Sequence, residues 1–476
     1  MDTERRELLK MLGVGGGVGI GAIAGATIYR RRQPETDSDG PTDIPSETER
    51  RHSDEFGTVV NAVAAGADPT GEDPINEVLE RYANDDTLIS FSEGTYRLEP
   101  IELSEFSNFG IAAADTNWPT FVGEPGNCFN GGDSYVRFNR VEDFLLDGIT
   151  FDFTEDSTGG TIRIVATGDT TVANVGASGR CEGQIAQFRF DVIEEDARAV
   201  VDNLHIENER RDEWLTGIFV GRPHAGELVF RNCNVEGYTD NGLYASAPGL
   251  EDGAGGPVHV EGGTYRNNNV ANVRLGSEGS TASDVTSISD TSPPSSGDVT
   301  ANARGFRLRS GQGQLIEDCT VRVTRNSKFT HGGIVFHETN GGATVRETTV
   351  EVDRNDTPAI RLFERDNRHT ETPVFDGVEV SGTANNGMSV LVSGRDETVF
   401  RNCTIEGTGT ERNGIVFQES EDCRLVDSSI DVTNHPLVLR NSTVLIENTT
   451  ITTPDGTEEI DRMNATDGAF TPRGER

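Results

Sequence analysis

The sequence predicts an all-β solenoid, a stack of short coils, and three observations predict it. The phrase FRNCNVEG, residues 230–237, returns almost unchanged as FRNCTIEG, residues 400–407. Reduced to its apolar, small and acidic positions, it also recurs as LDGITF, VDNLHI, VEGGTY, IEDCTV, VRETTV, FDGVEV, LVDSSI and IENTTI. A second apolar run (TGIFV, NGLYA, NVRLG, GFRLR, GGIVF, AIRLF, GMSVL, NGIVF, HPLVL) follows most copies. Strand-forming residues cut by Gly/Asn turns, with no long helical period, describe repeated coils that pair strand to strand.

The third position of the phrase marks one corner of each coil: Gly148, Asn203, Asn232, Gly262, Asp318, Glu347, Gly377, Asn402, Asp427 and Asn448. The steps Gly148 to Asn203 and Gly262 to Asp318 are about double the others, so each hides one poorly matched turn. The count is then about twelve coils, and at about 4.8 Å per coil a rod of about 60 Å. A solenoid grows by adding coils, so 476 residues are compatible with one domain.

Ahead of the repeats, residues 56–100 read as a cap. Ile75, Val78, Leu79 and Tyr82 have helical spacing between Pro74 and Asn84, and Leu88 to Phe91 reads as a strand before the turn SEGTY. A helix at this place shields the open end of the first coil. The run GADPTG, the helix and ISFSEGTYRL resemble the N-terminal cap of the pectate-lyase-like superfamily, through Gly66, Ala67, Asp68, Gly71, Phe91, Gly94, Thr95 and Tyr96. Glu72, Asp73 and Pro74 depart from that family's pattern before the helix, and Ser92 before the turn. With the NCxIxG-like coils behind it, the resemblance covers residues 56–452. It implies a single-stranded right-handed parallel β-helix, a fold that carries lyases, hydrolases, epimerases and binding proteins alike.

Four flanking and inserted segments complete the organisation. Residues 1–32 hold TERRELLK and a Gly-rich apolar run, which resembles a twin-arginine export signal with Arg5 and Arg6 as the pair, cleaved at Ala22-Ile23-Ala24 or Ala24-Gly25-Ala26. An uncleaved anchor, Met11 to Tyr29, is the alternative. Both place the body outside the cytoplasm, at the cell surface or beyond it. Residues 33–55 read as an acidic, unstructured linker. Residues 276–305, rich in Ser, Thr and Pro, read as an inserted loop beside the coils, and residues 453–476 as a polar tail.

Net charge −39, from 80 acidic and 41 basic residues, excludes a nucleic-acid partner, which needs a basic face. Only Lys10 and Lys328 are lysines, a composition resembling proteins of salt-loving archaea. In concentrated salt charges are screened within about 3 Å, and at low salt the fold is expected to weaken. Six cysteines, without a CxxC, are read as buried ladder residues rather than disulfides or metal ligands: Cys233, Cys319 and Cys403 share one slot of non-adjacent coils, too far apart to bridge. The sequons at Asn402, Asn441 and Asn448 are read as corner asparagines bonded within their turns.

Aligning the second runs places Phe219, Tyr244, Arg274, Arg307, Val335, Arg361, Ser389, Val416 and Val438 at one position, which alternation points outward. Tyr244, Arg274, Arg307 and Arg361 then form a stripe, with Arg309 and His337 two positions on and Glu338, Glu364, Arg365 and Asp366 at the adjoining turns. Arginine forks grip carboxylates and sulfates, and a tyrosine offers a face to a sugar. An ordinary solvated strand face, paired to nearby acids, is the competing reading.

An acidic polysaccharide or cell-surface glycan is the ligand this stripe suggests: Tyr244, Arg274, Arg361 and Arg365 to bind it, with His337, Arg307 and Arg309 catalytic. By resemblance the leading chemistry is lyase-type β-elimination. The base is His337 or an arginine of the row, and other arginines or a Ca²⁺ on Glu338, Glu364 and Asp366 neutralise the acid. The alternatives are a non-catalytic surface protein, binding glycan or acting as a spacer, and a glycoside hydrolase. The hydrolase series NTD…DD…GHG and the lyase motif RxPxxR are both absent, and His331-Gly332-Gly333 only grazes the former.

Overall fold

A computed structural model describes residues 27–30, 51–208, 214–291, 301–327, 329–366, 371–453 and 456–470. The chain divides into two compact units, Met1–Asn234 and Val235–Arg476. In each, short strands stack in parallel with three strands to a coil, so each coil contributes to three sheets, here A, B and C. In the first unit one coil runs through Phe144–Asp147 in A, Thr150–Phe153 in B and Thr161–Ala166 in C. In the second, Gln314–Glu317, Thr320–Val323 and Thr330–Phe336 do the same. The expected two segments per repeat are thus the strands of A and C, and B is the short strand that ends the corner phrase.

The repeated phrase is the A–B corner. All ten predicted corner residues have positive φ, from Glu347 at 43° to Gly148 at 71°, and so do Asn174 and Asp284 in the two long steps. These are the two hidden turns, which makes twelve corners. A left-handed residue suits Gly, Asn and Asp, which bear it with least strain. It aims the backbone N–H along the stack: Gly148 N–H donates to Ala173 O at 3.0 Å and Asn174 N–H to Asp202 O at 2.9 Å, as Asn402 N–H does to Val426 O at 3.1 Å. Asparagine amides add a second ladder. Asn203 donates to Asn174 at 2.9 Å, Asn402 to Asp376 at 2.9 Å, Asn441 to Glu419 at 2.7 Å and Asn448 to Asp427 at 3.0 Å. The three sequon asparagines are therefore engaged in their turns.

Inside each coil the phrase buries its aromatic and small positions. Phe230 and Phe400 are both buried, and Phe375 and Phe400, in register in sheet A, stack at 4.6 Å. Cys233, Cys319 and Cys403 are free and buried in the slot after the corner, with Cys423 buried in sheet A. Burial pushes the Cys319 and Cys423 thiols up to about 12 and that of Cys403 to about 11, so they are inert at neutral pH.

The cap follows expectation: α1 (Asn76–Tyr82) buries Val78 and Leu79, with Ile75 buried just ahead of it, and Thr87–Phe91 opens the stack. The Asp68 carboxylate accepts from the Thr70, Glu72 and Asp73 backbone N–H groups and the Thr70 hydroxyl, which holds the GADPTG loop and lowers its pKa to about 2.

Several expectations need correction. Cys128 and Cys181 form a disulfide, with Cα atoms 5.2 Å apart. Both lie in loops joining B to C, where the chain is not held to the strand spacing that separates the other cysteines. Reduction is expected to destabilise the first unit by about 4 kcal/mol on a chain-entropy estimate for a 53-residue separation. An unchanged denaturant midpoint with reductant would refute this. Residues 276–305 are mostly a coil rather than an inserted loop: Thr281–Ser283 lies in A, Thr286–Ser289 in B, and Ala303 starts the next strand of C. Only residues 292–300 fall outside the described residues. Gly, Ser and Thr disguised these strands, because a half-buried strand paired on both edges tolerates small residues inside.

At the C-terminal end, Leu437–Thr453 pairs in turn with Asn413–Gln418, Cys423–Val426 and Ser429–Val432, and Gly456–Phe470 returns antiparallel along it. The tail thus pairs the edge that a last coil leaves open. At the N-terminal end, residues 51–55 are not loose linker: His52 bonds Asp147 at 2.8 Å and Arg51 pairs with the same carboxylate. Thr27–Arg30, within the expected signal or anchor, runs parallel to Ile101–Ser104 of sheet C. Among the described residues no helix is long and apolar enough to cross a membrane. Arg5 and Arg6 lie outside the described residues.

Candidate functional site

Sheet C of the second unit carries the predicted stripe in register. Tyr244 pairs with Arg274, Arg274 with Arg307, Arg307 with Val335 and Val335 with Arg361. Each lies between two inward-facing apolar residues, as Phe306 and Leu308 flank Arg307, so alternation sends the whole column to the outer face. The face is not an ordinary solvated one. Tyr244, Arg274 and Arg307 are buried, Arg274 at 1% exposure, while Arg361, Arg309 and His337 are half-buried.

Within the stripe the residues divide by what they touch. The Arg274 guanidinium lies over the Tyr244 ring at 3.7 Å and donates to the Tyr244 hydroxyl at 2.8 Å and to Ser246 at 2.6 Å. Arg274 and Tyr244, read as ligand-binding residues, are thereby held against each other. Arg365, half-buried, donates to the Glu371 backbone carbonyl at 3.1 Å, in the turn beyond the strand and off the row. Glu338 and Glu364 are exposed. No three His, Cys, Asp or Glu side chains among the described residues converge on a point that fits a metal ion. The trio Glu338, Glu364 and Asp366 does not fit the Ca²⁺ expected of it, and no step is derived through that ion.

Two histidines sit among the arginines. His331, at the start of the strand that holds Val335, has its ring edge-on to Phe329 at 5.0 Å and to Phe363 at 6.1 Å. Arg361 stacks on Phe363 at 4.3 Å, and Phe329 is half exposed, at 51%. Burial, with Arg304, Arg361 and Arg307 nearby, pushes His331 down to about 3. Burial with Arg307, Arg309, Arg274 and Arg304 pushes His337 to about 2. Both rings are neutral at working pH. The Thr339 backbone N–H donates to His337 Nδ1 at 3.3 Å, so the ring proton sits on Nε2. That geometry makes Nε2 a donor, contrary to the expectation that His337 serves as base.

Unfolding returns both imidazoles toward 6.5, so below that pH the unfolded chain binds more protons. Their contribution to stability is present above about pH 6.5 and is lost as pH falls toward 3. The thermal midpoint of His331→Gln is accordingly expected to fall less than that of the parent between pH 7 and 4. An equal fall in both would refute the assignment.

Sequence alignment missed a second row, in sheet C of the first unit. There Glu102, Arg137, Arg163, Arg189 and Phe219 stand in register. Arg189 bonds the fully buried Asp191 at 2.7 Å, Arg163 reaches it at 3.4 Å, and Arg137 approaches Glu102 at 3.6 Å. The two arginines hold the Asp191 carboxyl below its ordinary value against the cost of burial, and burial beside Arg189 lowers Arg163 to about 9. Acids inside this row compensate its charge. The signal was available: YVRF, TIRI and QFRF repeat the apolar-Arg-apolar pattern of VRL, FRL and IRL. The hidden Asn174 corner broke the alignment before it reached them.

A family model for the right handed beta helix region matches residues 332–457. The protein is a right-handed parallel β-helix. The catalytic domain of Agl-KA superposes on this β-helix with TM-score 0.51 at 14% identity, over 85% of this chain and 70% of that one. PfbA, a surface adhesin of Streptococcus pneumoniae, gives 0.44 at 11% identity over 84% and 94% of the two chains. The A-module of the Azotobacter vinelandii mannuronan C-5 epimerase AlgE4 gives 0.43 at 12% identity over 79% and 96%. No curated protein matches the β-helix sequence at a significant level.

Proposed function

We propose that this β-helix is exported through the twin-arginine pathway and takes an acidic polysaccharide on sheet C of its second unit, where it acts by β-elimination. One observation carries the reading: in a chain of net charge −39, Arg307 and Arg361 stand in one register column, with Arg304, Arg309 and two neutral histidines around them. A uronate carboxylate is the counter-charge that such forks fit. The exposed Phe329 and the Arg361–Phe363 stack offer faces to a sugar ring.

In the elimination the arginines stabilise the charge that builds on the carboxylate as the neighbouring carbon loses its proton. The bond from the β-carbon to the glycosidic oxygen then breaks, and a carbon–carbon double bond forms. The departing oxygen gains a proton. Solvent supplies that proton, while His337 Nε2–H, a hydrogen-bond donor, and Arg309 beside it fit the charge that builds on the departing oxygen. Among the structural neighbours, the AlgE4 A-module is an epimerase and PfbA a surface adhesin, so the fold is compatible with this reading and with a non-catalytic glycan-binding one.

The test uses residues 33–476 in concentrated KCl against a panel of uronate polysaccharides, following ultraviolet absorbance of the unsaturated product together with direct binding. Absorbance that rises and is lost in Arg307→Ala supports the lyase. Binding without product leaves a glycan-binding protein, and neither binding nor product refutes the proposal.

A further inference from the structure

Burial holds His331 unprotonated, and the arginines that would hold an anion add to it, which couples two events. His331 Nδ1 is buried and makes no hydrogen bond. Its ring lies between Phe329 and Phe363, with no polar partner fixing it from either side. The charges acting on it are cationic and come from both flanking strands: Arg304 and Arg307 from Ala303–Leu308, and Arg361 from Ile360–Leu362. Register puts Gly332 opposite Arg304, and Val335 between Arg307 and Arg361. The histidine therefore belongs to the arginine column rather than to a separate turn. His337 differs, because its Nδ1 already accepts from Thr339.

We propose that His331 is the proton-accepting group of this site, and that it becomes one when an anion occupies the arginine row. An anion between Arg307 and Arg361 offsets the cationic part of what opposes a proton on the ring, so anion binding raises the affinity of His331 for a proton, and by linkage a proton there raises the affinity for the anion. Without anion the ring is neutral but a weak base. With the anion bound and the pH near 8 it is still neutral and has regained basicity, which is the state a proton acceptor needs. In the elimination the α-proton of the uronate goes to this ring, the electron pair forms the double bond, and solvent removes the proton afterwards. The inference rests on the proposed anion site and deepens it: occupancy itself switches on the base.

The experiment is calorimetric titration of the full-length protein in concentrated KCl, with inorganic sulfate and with a galacturonate oligomer at pH 5 and pH 8, each in two buffers of different ionisation enthalpy. The expected result is net proton uptake on anion binding at pH 5, little at pH 8, and an affinity that falls as the pH rises from 5, by at most about tenfold per pH unit, and levels off above the bound-state value. In His331→Gln the proton uptake should vanish whatever affinity remains. Histidine proton resonances of the unmodified protein give a second measurement, in which the His331 and His337 rings stay neutral to below about pH 4.5 without anion and the one that is lost in His331→Gln titrates higher with it. Oligomer binding without proton uptake overturns the inference and leaves the anion site standing. A His331 ring that titrates near 6.5 in the free protein also overturns it. If neither sulfate nor oligomer binds, both the site and the coupling fall.

Discussion

Arg395→Met is expected to lower the thermal midpoint of the second unit by several degrees. The Arg395 side chain is fully buried and donates only to backbone carbonyls: Phe363 at 2.7 Å, Asn340 at 2.6 Å, Gly341 at 2.7 Å and His337 at 2.8 Å. It ties its own turn to the turns of two earlier coils. Removing the guanidinium leaves the buried Asn340 and Gly341 carbonyls without this donor, each worth about 1–3 kcal/mol when unsatisfied, and weakens the part-buried ties to Phe363 and His337, the latter still bonded by the Asn340 N–H. Relief from burying the cation offsets part of this, since burial, with Arg365 nearby, lowers Arg395 to about 10. A net loss of about 3–5 kcal/mol is the scale for breaking such a buried charge network. Because one of the four carbonyls belongs to His337, the variant should bind saccharide more weakly as well. Circular dichroism melts in concentrated salt read the first effect, and a midpoint within a degree of the parent would sink the argument. Arg412, which donates to the carbonyls of Asn386 at 2.8 Å and Thr357 at 2.8 Å, repeats the device.

Arg307→Ala should remove most of the affinity for an acidic oligosaccharide, by roughly 30-fold or more, while the fold persists. Arg307 sits mid-column between Arg274 and Val335, and its loss removes one of the forks that face the carboxylate. Truncating one member of a buried charge pair costs about 2–5 kcal/mol, and 1.4 kcal/mol is tenfold. Arg307→Lys should recover only part, because an ammonium keeps the charge and loses the two-pronged geometry. Equal affinity of parent and alanine variant, with matching circular dichroism, would remove Arg307 from the site.

The corner phrase carried most of the fold. Its Gly, Asn and Asp residues state a backbone requirement, positive φ, that no neighbouring coil can supply on their behalf. Even the two unmatched turns were legible, as doubled steps that resolve into Asn174 and Asp284. The site was legible in part. The column of Tyr244, Arg274, Arg307 and Arg361 follows from alternation alone, but their division of labour does not. That Arg274 is consumed by Tyr244 and Ser246 depends on which side chains meet across neighbouring strands. The row of Arg137, Arg163 and Arg189 was written in the same pattern and passed unread, because its coils were out of phase with the phrase used to align them. The pairing of Cys128 with Cys181 was equally unreadable, since it is made by loops that no repeat disciplines.

By itself the sequence determined the local backbone: where the chain turns, which residues point inward, and which share a column. These are set within a few residues by sterics and by the two-residue period of a strand. Only the tertiary structure decided the chemistry of the column. Burial and the fields of Arg304, Arg307 and Arg361 keep His331 uncharged, a bond from Thr339 sets the His337 tautomer, and the buried Asp191 holds Arg163 and Arg189 in the first unit's row. Charge state and hydrogen-bond direction depend on what stands within a few ångströms in space, and in a solenoid those neighbours lie a whole coil away in sequence.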